Sequence, residues 1–191
     1  RGVRDAQIED VAKAVGINRA IIYRHFTGKE DLFALTVVDY LTELEGRLLA
    51  ADDPQQDPET RLRAMVRTFF DYGMEYPAFV DCAQALMRKS GSELFAEVSE
   101  GTMLKLGRGL GGCLSKLSVV VAAGNEAGVF KSPNVDLTAN MLYASGLGAL
   151  QLARVGLLVH EAAPGVPVVQ KVAPELVREQ MVTAAVTMIK R

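Results

Sequence analysis

The stretch from Gln7 to Lys29, QIEDVAKAVGINRAIIYRHFTGK, constrains this chain more than any other. Ile8, Val11, Ala12 and Val15 recur at three- and four-residue steps. Gly16 can adopt the left-handed conformation that ends a helix, and Asn18 can cap the next one. The pattern predicts two short helices meeting across a tight turn. From Asn18 to Lys29 the chain carries Arg19, Arg24 and Lys29 with no acid, and Tyr23 and His25 as hydrogen-bonding rings. A cationic, acid-free second helix of this kind favours phosphate.

Charge is informative here only when read locally. The chain has a net charge of -2, and residues 1–31 sum to only +1. The three cations between Asn18 and Lys29, however, fall within about one Debye length, roughly 8–10 Å, of one another's field. At 191 residues the chain can bury a substantial core. Hydrophobic residues make up 49% and charged residues 23%, with no uninterrupted run of eighteen apolar residues, so no membrane span is expected. Without a signal-peptide pattern, the expected location is cytoplasmic. Cys82 and Cys113 are far apart and read as buried free thiols.

After residue 29 every segment reads helical. Leu32, Leu35, Val38, Leu41, Leu44 and Leu48 form a stripe on a long helix reaching about Leu49, with Thr27 to Glu30 reading as a capping box at its start. A polar loop with Pro54 and Pro58 follows. Further helices are expected over about 58–75, 77–89, 93–98, 102–127, 136–159 and from 174 to the end, the region Pro164 to Pro167 serving as a separator. The expected class is all-α.

The helices over 136–159 and from 174 onward are apolar on most sides, so each needs more cover than one subunit gives. Leu147, Leu150, Val182 and Val186 are the expected contacts between two copies, with Gly146, Gly148 and Ala149 permitting close approach. An internal core helix is the alternative. Aromatic and methionine side chains on these helices read first as core. Phe69, Tyr72, Met87, Met103 and Tyr143, with the polar Asn140 and Gln151, are the candidates to line a ligand cavity.

Several motifs were weighed and set aside. Gly107 to Gly112 satisfies G-x-G-x-x-G but has neither a strand before it nor a βαβ unit around it. His25 and His160 have no ligand-spaced Cys or carboxylate neighbours, so no metal and no cofactor is expected. Ser115 and Ser118 lack partners for nucleophilic chemistry, and no G-x-S-x-G occurs, so enzymatic function has no support.

From Ile8 to Leu32 the run I-E-D-V-A-K-A-V-G-I-N-R-A-I-I-Y-R-H-F-T-G-K-E-D-L resembles the DNA-binding signature of tetracycline-repressor-type (TetR family) regulators. It departs at Asn18, where Ser is common, and at Gln7, where Ser or Thr usually caps the first helix. The resemblance implies a helix-turn-helix domain over 1–46 and an effector-binding and dimerisation domain over 47–191. It also implies a further helix ahead of the motif; Arg1-Gly2-Val3-Arg4 resembles the loop that follows that helix, which is expected to be missing here.

The expected partners are double-stranded operator DNA, a small largely apolar effector and a second copy of the chain, with repression the expected outcome. Arg19, Ala20, Ile21 and Arg24 would meet base edges, and Asn18, Tyr23, His25, Thr27 and Lys29 the phosphates. A helical small-molecule carrier or sensor, and an enzyme with an all-α pocket, remain as alternative readings.

Overall fold

The computed structural model describes residues 28–190. They form seven helices and one two-stranded hairpin: α1 (Lys29–Ala51), α2 (Pro58–Glu75), α3 (Pro77–Met87), α4 (Gly91–Glu97), α5 (Glu100–Glu126), α6 (Val135–Val155), β1 (Leu157–Ala163), β2 (Val166–Lys171) and α7 (Pro174–Ile189).

The helix starts follow local chemistry. Asp57 caps α2 by accepting from the Thr60 amide, and Pro58, Pro77 and Pro174 occupy first-turn positions where no amide hydrogen is needed. Ser90 and Glu93 form a reciprocal capping box on α4. Asn134 caps α6 by accepting from the Leu137 amide at 2.9 Å. Asp136 accepts from the Ser118 hydroxyl.

α1 is 23 residues long, or about 35 Å at 1.5 Å per residue. It packs against α5, α3 and α2 and is continuous through residue 46. Its C-terminal half buries the expected Leu41, Leu44 and Leu48. Its N-terminal half is rotated from the expected stripe: Phe33, Ala34 and Val37 are buried, whereas Leu32, Leu35 and Val38 are half-buried. The rotation turns Glu30 and Asp31 inward, 8% and 4% exposed, toward partners on other elements. Gly28 sits at the N-cap with no side-chain cap bond, and Thr27, on which the expected capping box rests, lies outside the described residues.

Two glycines fix how closely helices approach. A Cβ at Gly73 of α2 would run into the Leu150 side chain of α6, and one at Gly146 of α6 would meet Phe69 Cε1 at 2.7 Å. The glycine-rich run at 107–112 lies inside α5, where Gly109 lets Leu41 of α1 approach to 3.0 Å of its would-be Cβ. This is helix packing, not a nucleotide-binding loop. Among the described residues α5 is long and apolar enough, by length and composition alone, to cross a membrane, a property that core helices share. In this fold it packs against α1, α2 and α6.

The hairpin corrects the expectation of a helix to residue 159 followed by a loop. α6 stops at Val155 because Gly156 takes the left-handed conformation (φ 66°). The chain then runs out and back through β1 and β2, antiparallel, around Pro164-Gly165 with Gly165 at φ 78°. The architecture remains an all-α bundle carrying one small sheet.

Candidate functional site

Of the residues expected to face DNA, Asn18, Arg19, Ala20, Ile21, Tyr23, Arg24, His25 and Thr27 lie outside the described residues. Lys29 is placed at the first turn of α1, where its ammonium lies 3.2 Å from Glu30 Oε1. Glu30 also faces Lys89 at 3.6 Å, and Lys89 pairs with Glu97. Next to it, Asp31 Oδ1 accepts from the Ser99 amide at 3.1 Å and the Ser99 hydroxyl at 2.9 Å. Since Ser99 is the N-cap of α5, this clasp ties the start of α1 to the start of α5 and, through Lys89 and Glu97, to the segment around α4.

Further along α1, between the helices, lies an apolar cavity. α1 contributes Leu41, Leu44 and Leu48; α2 contributes Met65, Val66, Phe69 and Phe70. α5 supplies Leu110, Cys113, Leu114 and Leu117, while α6 supplies Leu142, Tyr143 and Gly146, and α7 adds Met181. The cavity measures about 50 Å³, within about 630 Å³ of non-atom space that continues toward solvent. As built it is smaller than the roughly 300–1,000 Å³ usual for ligand sites. An occupant larger than a few waters has to move the wall.

Two wall residues carry polar side-chain atoms. Cys113 Sγ donates to the Leu41 carbonyl at 3.5 Å, and burial pushes its thiol up to about 12. Tyr143 stacks edge-on against Phe69, with ring centroids 5.8 Å apart, and burial raises its pKa above the usual phenol value. Its hydroxyl has no hydrogen-bond partner among the described residues.

Of the ligand candidates read from sequence, Phe69 and Tyr143 line this cavity. Tyr72 does not: it is fully buried among Tyr40, Tyr76 and Phe79 and donates to the Tyr40 carbonyl at 2.8 Å. Met87 is 51% exposed at the end of α3, and Met103 packs on the core away from the cavity wall. Asn140 and Gln151 point to solvent, Asn140 satisfied by the Asp136 carbonyl. From α5 the sequence reading named only Met103 and missed Leu110, Cys113, Leu114 and Leu117, whose signal was the glycine run that brings this helix against α1.

The inter-subunit expectation also moves. Leu147, Leu150, Val182 and Val186 are at most 2% exposed within one subunit, because α6 and α7 turn them toward α2 and each other. They are core residues of the subunit and have no surface to offer a partner. The opposite stripe is bare: Leu137, Met141, Leu152 and Val155 on α6, with Leu176 and Met188 on α7, are 43–56% exposed. Gly148, with open space around it, lies on that outer side, while Gly146 lies inside.

Residues 1–36 match the family model of the bacterial regulatory proteins, tetR family, a segment that ends two turns into α1. In that segment the chain is similar to the tetR family. The HTH-type transcriptional activator FasR of Mycolicibacterium smegmatis is 29% identical over 72 residues, 38% of this chain and 33% of that protein. The aligned stretch therefore spans about a third of the curated relative.

Solved structures of bacterial regulators share the fold over nearly the whole chain. A regulatory protein from Rhodococcus RHA1 superposes with a TM-score of 0.67 at 15% identity, over 95% of this chain and 85% of that one. The ketosteroid transcriptional regulator KstR2 of Mycobacterium tuberculosis gives 0.63 at 18%, covering 96% and 84%. FadR from Bacillus subtilis, solved in complex with stearoyl-CoA, gives 0.64 at 17%, covering 94% and 87%. The fold is the one these solved regulators share.

Proposed function

We propose that this chain is a dimeric transcriptional regulator whose hold on a palindromic operator is set by a small, largely apolar effector. One observation carries the reading. α1 begins inside the segment matched by the tetR model and continues without a break to form one wall of the apolar cavity. Anything that displaces Leu41, Leu44 or Leu48 therefore moves the helix on which the DNA-facing residues are mounted.

In this mechanism the helix from Asn18 to His25 enters the major groove, with Arg19, Ala20, Ile21 and Arg24 at base edges. Asn18, Tyr23, His25 and Thr27 hold phosphates, and Lys29 contributes less than its charge suggests because Glu30 already pairs with it. The exposed stripes of α6 and α7 join two copies in a four-helix interface, setting the recognition helices about 34–36 Å apart. Because the cavity is small as built, an effector stabilises an opened bundle. Its preference for that state over the DNA-binding one is what releases DNA. That FadR from Bacillus subtilis holds stearoyl-CoA supports an acyl-chain-like occupant for this fold.

Release on effector binding gives repression where the operator overlaps a promoter. The activator FasR supports a second outcome, recruitment of transcription by the bound form. A reporter assay with and without the protein separates the two.

The binding claim is tested by fluorescence anisotropy of the full-length protein on duplexes from its own upstream region. Arg19→Ala and Arg24→Ala are expected to relax sequence preference, each lost bidentate contact costing about 1–3 kcal/mol of discrimination. Lys29→Ala is expected to weaken all duplexes modestly and alike. Identical effects from all three substitutions would contradict this division of roles.

A further inference from the structure

We infer that the cavity selects an uncharged effector, an apolar chain or ring system bearing one hydrogen-bonding oxygen that meets Tyr143 Oη, and that it rejects a free carboxylate. The inference rests on the ligand-responsive reading above and names the chemistry of that ligand.

The first argument is charge. No residue of the cavity wall ionises at neutral pH; all are Leu, Met, Val, Phe, Gly, Cys or Tyr. All but two of the Arg and Lys residues on the five wall helices are committed elsewhere. Arg47 pairs with Glu43 and Glu75, Arg67 with Glu179 and Arg178 with Asp71. The others on these helices are ion-paired in the same way, apart from Lys105 and Arg108, which are exposed to solvent. A carboxylate entering the cavity would lose its hydration and find no cation in return, which is strongly unfavourable.

The second argument is hydrogen bonding. Of the two polar side chains on the wall, Cys113 already donates to the Leu41 carbonyl. Tyr143 does not share that fate: its hydroxyl makes no hydrogen bond among the described residues, and its oxygen is not sealed off from accessible space. Burial keeps the phenol protonated, so it is available as a donor to a neutral acceptor such as an ester carbonyl or an alcohol oxygen. Its location on α6, across the cavity from α1, places the one polar anchor opposite the helix that has to move.

The test is calorimetric titration of the full-length protein at pH 8 with three probes of equal chain length: 1-decanol, methyl decanoate and decanoate. The alcohol and the ester are expected to bind, and decanoate to bind at least about 100-fold more weakly. Tyr143→Phe is expected to weaken the alcohol and the ester about five- to tenfold while leaving affinity for toluene, which has no polar atom, unchanged. Decanoate binding within about threefold of decanol would overturn the inference. So would no binding by any probe, or no change on Tyr143→Phe. If that variant does not fold, the ranking of the three probes on the unmodified protein still decides. Operator binding, measured without any ligand, stands or falls separately.

Discussion

A carboxylate placed at Met141 should dissolve the proposed dimer and spare the subunit. Met141 is 50% exposed on the outer stripe of α6, beside Leu137 and across from the outer side of α7. Within one subunit, substitution at such a surface position costs about 0.5 kcal/mol or less. In a two-fold dimer each substitution counts twice. Losing a buried interface side chain costs about 1–2 kcal/mol per copy, and burying an unpaired carboxylate costs several more.

A total of about 5 kcal/mol or more weakens association by over a thousandfold, taking a nanomolar dimer to micromolar or beyond. Sedimentation velocity of Met141→Asp at about 1 µM protein, with circular dichroism to verify helicity, is expected to give folded monomers. Leu147→Asp is the counterpart. Leu147 is 2% exposed inside the subunit, so the same charge there should unfold the chain. A Met141→Asp protein that stays dimeric, or a Leu147→Asp protein that yields folded monomers, would refute the assignment of the outer stripe as the interface.

Two further outcomes follow from the interior. Asp31→Ala removes both hydrogen bonds to Ser99 at the start of α5, and is expected to lower stability by about 2–3 kcal/mol in urea unfolding, with faster amide exchange at the first turn of α5; an unchanged midpoint would contradict the clasp. Burial raises Cys82 to about 11 and Cys113 to about 12 from a reference near 9, so the folded state holds these protons more tightly than the unfolded chain does. Their stabilisation is therefore complete below pH 9 and lost as pH climbs toward 12, so the urea midpoint should fall over that window. A flat midpoint between pH 8 and 11 would count against buried thiols.

Much of the bundle was legible because its punctuation is local. Pro58, Pro77 and Pro174 mark helix starts, Ser90 with Glu93 spells a capping box, and Leu41, Leu44 and Leu48 recur at helical spacing. The hairpin was harder to read. Gly156 is one residue inside an apolar run, and the Leu157 to Val159 segment continues the composition of α6; the usable signal was Pro164-Gly165 just ahead of the valine-rich Val166 to Val169.

The orientation of α6 and α7 could not be read from their own residues, because both faces of each are apolar. It is decided by long-range fits such as Leu150 into the space left by Gly73 and Phe69 into that left by Gly146. For the cavity, the polar residues chosen from α6, Asn140 and Gln151, turned out to face water, while Tyr143 three residues beyond Asn140 faces in. The wall itself reads as ordinary core in sequence, since nothing in a leucine distinguishes filling space from bordering it.

The central claim is that occupancy of the cavity and grip on DNA are two readouts of one helix, α1. It is tested most directly by measuring operator affinity in the presence and absence of a saturating uncharged ligand such as 1-decanol, and the ligand's affinity with and without operator. Linkage requires the two ratios to be equal, and the expected value is at least about tenfold in each. Ligand binding that leaves operator affinity unchanged would contradict the account.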